Sequence, residues 1–341
     1  MIKNNMKILI IGAGRMGLRH AIGVSNATNV EKITIVDVSE DALKNAKVHL
    51  SDSTNYQKFT FRTSDYLDSN NNYDVGIIAT TAQDRLSICK KVVRFGCEYI
   101  LIEKPLGQNL SDVIRLVDFF KTTSAKAFVN LNMRLYPDYL KLKNDIKNFS
   151  QFNGEKTITI NTGTLGIGAN GIHYLDYLIF LLDADEVKLI SGKIDKEKIP
   201  SARGPQFNDF GGCCLLEFYA NEIKVGTAFI SMSANSTVFG GIDIVSSHGR
   251  ITINESSGKR IDYLRDSNSD MPMNRYHADY LKPLTYDFSS PPLSDLTKNW
   301  INSLSNKKSV LPNLEESILA HQIMFEWLSK DKSEDNHFPI T

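Results

Sequence analysis

Glu103, Lys104 and Pro105 stand side by side at the end of a short apolar run, in the stretch YILIEKPLGQN. A proline ends the hydrogen-bond ladder of a strand, so this run indicates a strand that stops here. A charge pair at the end of a buried strand is costly unless it is paired or used. One interpretation is a strand that turns into a loop. The other is a lysine that holds a ligand hydroxyl or stabilises negative charge on oxygen, with Glu103 orienting it.

A glycine-rich segment near the start of the chain indicates a dinucleotide site. The apolar residues 8–11 lead into GAGRMG, which is G-x-G-x-x-G between a strand and a helical pattern. Gly12 permits a tight turn, Gly14 lets the backbone approach a pyrophosphate, and Gly17 lets the helix pack closely on the strand. Free N–H groups at the helix N-terminus would face the pyrophosphate. The predicted cofactor contacts of this segment are Gly12, Ala13, Gly14, Arg15, Met16 and Gly17.

A second strand, in EKITIVDVSE, ends in Asp37, which lies 20 residues after Gly17. This spacing is the one expected for a carboxylate that binds the adenosine ribose hydroxyls. The negative charge would repel a 2′-phosphate, and no arginine follows at 38 or 39, so NAD is favoured over NADP. The alternative is that Asp37 belongs to a helix N-cap region, although Ser39 is the better cap.

The elements that position these residues alternate as in a doubly wound parallel sheet. Further strands are predicted at 58–63, 73–81, 98–104 and 125–134, with helices at 83–96 and 110–124. Thr80 and Thr81 end the fourth strand at the edge where such sheets bind ligands, which makes them predicted neighbours of the nicotinamide ribose. Lys104 ends the fifth strand at the same edge as the glycine segment. Glu103 and Lys104 are therefore predicted to contact the cofactor as well.

Composition excludes several classes of protein. The chain has 341 residues, of which 42% are apolar and 23% charged, and its 39 basic and 39 acidic residues balance. A zero formal charge gives no support to nucleic-acid binding or to a polybasic membrane surface. No apolar run approaches the roughly 18 residues that span a bilayer. The apolar residues 8–11 are too few for the core of a signal peptide.

The four cysteines and seven histidines show no metal-ligand spacing, so we predict no metal. Adjacent Cys213 and Cys214 would point to opposite faces of a strand, which makes a disulfide framework unexpected. We therefore expect a reducing, cytoplasmic location.

From residue 152 the pattern changes to strands in which apolar and polar residues alternate, as in a sheet with one face in water. The exception is NGIHYLDYLIFLLD, which predicts a helix. His173, Asp176 and Phe180 share one face of it. The pair could be a satisfied core histidine with its aspartate, or it could carry chemistry.

Together these residues resemble the Gfo/Idh/MocA oxidoreductases over almost the whole chain. The likeness rests on GAGRMG at 12–17, Asp37, EKPL at 103–106, NMRLYP at 132–137 and GIHYLD at 171–176. It implies an N-terminal Rossmann domain and a C-terminal α+β domain with a large open, mostly antiparallel sheet. It also implies hydride transfer at a carbon of a sugar, polyol or related compound, and a homodimer or homotetramer formed through the open sheet.

The resemblance also suggests roles for individual residues. His173 would be the acid/base that takes the hydroxyl proton, and Lys104 would polarise the oxygen. Asn170, Asp176 and Arg134 would bind the substrate, and Asp176 could instead orient the imidazole. We place the Rossmann domain at 1–130. The substrate and oligomerisation domain, with closing C-terminal helices, would span 131–341.

Several features depart from the family pattern or stand outside it. Many members carry an aspartate where this chain has Ala169, and the loop before it is short. Arg85 stands where many members have a histidine, and it could meet an anionic group or be solvated. Residues 255–293 read as a long loop in which Arg275 and Lys282 could reach a charged substrate. We interpret His321, on a closing helix, as structural.

Our leading hypothesis is an NAD-dependent oxidoreductase that acts on a hydroxyl or ketone carbon of a small carbohydrate. A sugar or nucleotide-activated sugar of surface-polysaccharide metabolism is the expected substrate. Because Ala169 replaces a carboxylate, two alternatives stay open. One is a catalytically silent, dinucleotide-binding regulator, and the other is a redox-neutral elimination or hydrolysis assisted by NAD.

Overall fold

The computed structural model describes residues 5–68, 71–200, 204, 206–233, 236, 240–265, 283–304, 309–330 and 338–340. The chain divides into two compact units. The first comprises Met1–Asn132 and Pro291–His321, and the second comprises Met133–Ser290 and Gln322–Ile340. The sequence placed residues 291–321 in the second domain, whereas they group with the first unit.

The first unit is built on a six-stranded parallel sheet with the order β3-β2-β1-β4-β5-β6. Its strands are β1 (Met6–Ile11), β2 (Val30–Asp37), β3 (Phe59–Thr63), β4 (Val75–Ile78), β5 (Tyr99–Ile102) and β6 (Lys126–Val129). Its connecting helices are α1 (Arg15–Ser25), α2 (Glu40–Leu50), α3 (Arg85–Arg94) and α4 (Leu110–Lys121). The strand order reverses between β1 and β4, which confirms the predicted doubly wound topology.

The second unit contains an eight-stranded sheet with the order β14-β13-β12-β11-β7-β10-β9-β8. Every neighbouring pair is antiparallel except β7 and β10, which confirms the mostly antiparallel prediction. Its strands are β7 (Lys156–Asn161), β8 (Glu186–Pro200), β9 (Asn208–Ala220), β10 (Ile223–Met232), β11 (Gly241–Val245), β12 (Gly249–Asn254), β13 (Lys259–Leu264) and β14 (Leu284–Asp287). The helices are α5 (Pro137–Asn148), α6 (Ile172–Leu182), α7 (Leu293–Ser303), which lies in the first unit, and α8 (Ile318–Leu328). No helix among the described residues is long and apolar enough to cross a membrane.

One face of the second sheet is buried and the other is exposed. On β7, Ile158 and Ile160 are buried while Thr157 and Thr159 face solvent. Helix α6 covers the buried face, because a Cβ at Gly226 of β10 would lie 3.0 Å from the Leu182 side chain. The alternation of apolar and polar residues in the sequence therefore indicates a sheet with a helix on one side and solvent on the other.

The prediction of a single loop over 255–293 is wrong, because β13 and β14 lie within it. Arg260 and Asp262 occupy buried positions of β13 and form an ion pair, with Nε 2.7 Å from Oδ1. Because these charged residues occupy inward positions, the sequence of β13 lacks the apolar alternation that predicts a strand. Arg275 and Lys282 lie outside the described residues.

Candidate functional site

The glycine segment of the first unit has the geometry that a bound pyrophosphate needs. Gly12 has a φ of +106°, and a Cβ there would lie 2.8 Å from the Ala79 carbonyl oxygen. A Cβ at Gly17 would overlap the carbonyl oxygen of Gly12. At Gly14, by contrast, a Cβ would meet nothing within 4 Å, and Gly14 is the N-cap of α1. The first amides of α1 therefore lie beside open space, where an anion can approach them.

Asp37 is held beside this segment by two backbone donors. Its Oδ2 accepts a hydrogen bond from Ala13 N–H at 2.6 Å, and its Oδ1 accepts one from Ser39 N–H at 2.8 Å. The cap of α2 is Ser39, whose hydroxyl oxygen accepts from Ala42 N–H at 3.1 Å. The neighbouring Val38 is 83% exposed, which places apolar surface next to the carboxylate.

Arg85 is buried at the start of α3, which rules out the solvated interpretation. Its guanidinium donates to the carbonyl oxygen of Thr80 at 2.8 Å. Thr80 and Thr81 follow β4 and are both half-buried. Arg85 thus fixes the backbone of a predicted cofactor neighbour.

Glu103 and Lys104 are almost completely buried, with exposed fractions of 1% and 7%. Glu103 Oε1 accepts hydrogen bonds from Asn130 Nδ2 at 2.7 Å and from His20 Nε2 at 2.9 Å. Burial alone raises the pKa of this carboxyl, but His20, Lys104 and Asn130 together lower the pKa to about 2. The carboxylate is therefore ionised at neutral pH, directly before the lysine. The Lys104–Pro105 peptide bond is cis.

His321 supports the same loop from α8. Its Nδ1 lies 2.8 Å from the Ser317 carbonyl oxygen, and its Nε2 accepts from Leu106 N–H at 3.0 Å. Burial lowers the pKa of this imidazole to about 4, so the ring is neutral at physiological pH. These contacts agree with the structural role predicted for His321.

In the second unit, a short π-helical turn, Ile167–Gly171, leads directly into α6. Asp209 accepts hydrogen bonds from Gly168 N–H at 3.0 Å and from Ala169 N–H at 2.6 Å. The Asn170 amide donates to the Leu165 carbonyl oxygen at 2.6 Å. A buried carboxylate thus stands at the backbone of Ala169, where the side chain supplies none.

His173 is the second residue of α6. Within this fully described helix, His173 and Phe180 alone are less than fully buried, and they share the predicted face. Asp176, on the same face, is 0% exposed and pairs with Arg134. Arg134 Nε lies 2.8 Å from Asp176 Oδ2, and Arg134 Nη2 lies 2.6 Å from Oδ1. The structure thus joins two predicted substrate-binding residues in one buried ion pair, and their role in binding stays a prediction.

Sequence reasoning missed His20, Asp209 and a third group around Glu255. The hydroxyls of Tyr139 and Tyr174 donate to the two carboxylate oxygens of Glu255, at 2.6 and 2.7 Å. Burial, followed by the charge of Glu255, raises the pKa of both tyrosines well above the ordinary value. A local signal existed only for His20, which lies three residues after Gly17. Across the described ranges, no group of three His, Cys, Asp or Glu residues is placed to hold a metal ion.

Comparison with known proteins finds a family match for part of the chain. Residues 6–131 match the Gfo/Idh/MocA model, described as an oxidoreductase family with an NAD-binding Rossmann fold. The myo-inositol 2-dehydrogenase of Thermotoga maritima is 28% identical over 146 residues, which are 42% of this chain and 41% of that protein. The match to this curated relative thus spans less than half of its length.

Two solved structures share the fold over nearly the whole chain. An NAD binding oxidoreductase from Klebsiella pneumoniae has a TM-score of 0.72 at 15% identity, covering 97% of this chain and 100% of the other. UDP-N-acetylglucosamine 3-dehydrogenase from Acidithiobacillus ferrooxidans has a TM-score of 0.67 at 14% identity, covering 96% of each chain. The family match thus lies in residues 6–131, which match the oxidoreductase family with an NAD-binding Rossmann fold, and the solved structures show the same fold over nearly the whole chain.

Proposed function

We propose that this chain is an NAD-dependent oxidoreductase that acts on a CH–OH group of a carbohydrate. The observation that carries the proposal is the buried Lys104, preceded by an ionised Glu103 at the carboxyl end of β5. The same edge of the sheet carries the open amides at Gly14 and the fixed carboxylate of Asp37. Parallel sheets bind their ligands at this edge, next to the point where the strand order reverses.

Each proposed role follows from the chemistry of its side chain. NAD, when bound, would supply the hydride acceptor at C4 of its nicotinamide ring. The Lys104 ammonium would hold the substrate oxygen and stabilise negative charge that develops there. His173 would take the hydroxyl proton, because an unperturbed imidazole titrates near neutral pH.

A sugar or a nucleotide-activated sugar is the proposed substrate, in carbohydrate or surface-polysaccharide metabolism. The names of the similar proteins support this class, since they include a myo-inositol and a UDP-sugar dehydrogenase. The loop before His173 is short, and it is closed internally by the Asn170–Leu165 hydrogen bond. Asn170 and the Arg134–Asp176 pair are the proposed substrate contacts of the second unit.

Ala169 keeps two other functions open. A regulator that binds NAD without turnover has no need of a proton acceptor at this position. A redox-neutral elimination or hydrolysis would use NAD without net NADH production. Asp209 places a carboxylate at this turn, where its oxygens accept backbone hydrogen bonds. The buried Lys104 and the presence of His173 favour the oxidoreductase, because a pure binding module needs neither.

NADH absorbance tests the proposal directly. The purified protein is incubated with NAD and pooled polyols, hexoses, uronates or nucleotide sugars, beside a Lys104→Ala variant. We expect one pool to produce NADH with the wild type and not with the variant. Lys44→Ala, at an exposed position of α2, is the matched control. NADH binding without turnover on any pool would favour the regulator or the redox-neutral reaction.

Replacing Asp37 with alanine should reduce the preference for NADH over NADPH. The carboxylate would accept hydrogen bonds from the ribose hydroxyls and repel a 2′-phosphate, so its loss should weaken NADH about tenfold relative to NADPH. Calorimetric titration of both nucleotides gives the ratio of dissociation constants. Asp41→Ala, on the exposed first turn of α2, is the control. An unchanged ratio would show that Asp37 only anchors Ala13 and Ser39.

The exposed face of the second sheet is the proposed contact between copies of the chain. It carries Phe229 of β10 and Val245 of β11, which are 42% and 41% exposed. Phe229→Asp would place a charge in this apolar contact, so we expect a lower mass by light scattering coupled to size exclusion. Val48→Asp, at an exposed apolar residue of the first unit, should leave the mass unchanged. A wild-type monomer would contradict the proposal.

A further inference from the structure

A buried chain of hydrogen bonds in the first unit ends at Glu103. His20 lies on the buried face of α1, fully enclosed, with Nε2 2.9 Å from Glu103 Oε1 and Nδ1 2.8 Å from Thr297 Oγ1. Thr297 belongs to α7, and its Oγ1 also lies 2.9 Å from the Leu293 carbonyl oxygen. No step of the proposed mechanism uses His20 or Thr297.

The close approach of two helices creates this contact. Gly23 lies three residues after His20 on α1, and a Cβ there would overlap the Ser294 carbonyl oxygen of α7. The missing side chain lets α7 come near enough for Thr297 to reach the imidazole. The packing of α7 on α1 within the first unit therefore serves a polar contact as well as an apolar one.

The partners of His20 determine which ring nitrogen donates a hydrogen bond. An ionised carboxylate only accepts hydrogen bonds, so His20 Nε2 must carry a proton toward Glu103. The single Thr297 hydroxyl proton is donated either to His20 Nδ1 or to the Leu293 carbonyl oxygen, and in the second arrangement Nδ1 donates to Thr297 Oγ1. In both arrangements Thr297 fixes the ring and Nε2 donates to Glu103.

The hydrogen bonds on Glu103 Oε1 leave the second carboxylate oxygen, Oε2, for another donor. Oε1 is filled by His20 and Asn130. Oε2 is buried, and among the described residues it has no hydrogen-bond partner. Such an acceptor is costly unless a ligand supplies a donor. It lies at the carboxyl end of β5, on the edge proposed to hold the nicotinamide half of NAD.

We propose that His20, held by Thr297, is a positioning residue that presents Glu103 Oε2 as a hydrogen-bond acceptor to the nicotinamide-side ribose. Two donors on Oε1 fix the carboxylate and leave one oxygen free for a ribose hydroxyl. This inference rests on the proposed function, because it assumes the dinucleotide site. It adds a contact made through Glu103 by a side chain outside the glycine segment.

Three ligands that differ in whether they contain the nicotinamide-side ribose distinguish a positioning role of His20 from a general structural role. NADH and ADP-ribose both contain the second ribose, whereas ADP lacks it. A hydrogen bond to a charged acceptor is strong enough that its loss should weaken binding about tenfold. In calorimetric titrations, His20→Leu should therefore weaken NADH and ADP-ribose about tenfold and leave ADP unchanged. His20→Gln, whose amide can donate to Glu103, should restore most of the affinity.

Two further variants keep the inference testable if His20→Leu folds poorly. Thr297→Val removes only the hydroxyl and should weaken ADP-ribose without affecting ADP. In a Glu103→Gln background, Thr297→Val should cause no further loss, because the imidazole that Thr297 holds acts through the carboxylate. The inference is overturned if ADP weakens as much as ADP-ribose, or if neither ligand changes. Binding without turnover defeats only the proposed oxidoreduction, whereas a wild type that binds none of the three ligands defeats both.

Discussion

Replacing His173 with alanine should lower kcat by about 10²- to 10⁴-fold on the substrate that produces NADH, the range typical of general acid/base catalysis. The imidazole lies at the second position of α6 and is partly exposed, whereas its neighbours on that helix are buried. Alanine is well tolerated in a helix, so the loss should reflect missing proton transfer rather than unfolding. Steady-state kinetics with the wild type and the variant measure the effect directly.

The affinity for NADH separates this effect from a damaged cofactor site. His173 lies in the second unit, while the glycine segment and Asp37 lie in the first, so the dissociation constant should be unchanged. His49→Ala, at an exposed position of α2, controls for the loss of an imidazole. Turnover at the wild-type rate would remove His173 from the mechanism and would leave the proton to another acceptor.

Local geometry explains why the glycine segment and Asp37 could be predicted. Only a residue without a side chain tolerates the φ of Gly12 and the contact between Gly17 and the turn. Strands β1 and β2 are parallel neighbours, so their carboxyl ends lie side by side. Asp37 at the end of β2 therefore lies beside Ala13, where the hydrogen bond is observed. These constraints act over a few residues or along one strand, so a single sequence displays them.

The contacts of His20 could not be predicted, because its partners are far away in sequence. Glu103 lies 83 residues from His20, and Thr297 lies 277 residues from it. A histidine on a helix gives no signal of which distant side chains it meets. The assignment of residues 291–321 to the second domain failed for the same reason, since α7 joins the first unit by packing on α1.

Buried charge hid strand β13 of the second unit. Arg260 and Asp262 sit at inward positions of β13, where the alternating pattern calls for apolar residues. Arg260 also pairs with Asp145 of α5 at 2.7 Å, so the charge is balanced from two elements. Helix α5 did carry a readable signal, because Tyr139, Leu142 and Ile146 lie on one buried face.

Removing one partner of the Arg134–Asp176 pair should destabilise the protein by about 3–5 kcal/mol, because it leaves a buried charge without compensation. Asp176→Ala is the sharpest single change, since both carboxylate oxygens accept hydrogen bonds from Arg134. The free energy of unfolding of the second unit, measured by urea denaturation, gives the cost. Asp243→Ala breaks the exposed pair with Arg250 in the same unit and should cost no more than about 1 kcal/mol.

The double variant Arg134→Met with Asp176→Leu distinguishes stability from substrate binding. Apolar residues of similar volume commonly replace a buried ion pair at little or no cost, so unfolding should return close to the wild-type value. If the pair only anchors α6 to the segment before α5, turnover should return with stability. If the pair binds the substrate, as the resemblance implies, kcat/KM should stay low in a stable protein. A double variant as unstable as Asp176→Ala would instead show that Arg134 and Asp176 support the fold through more than each other.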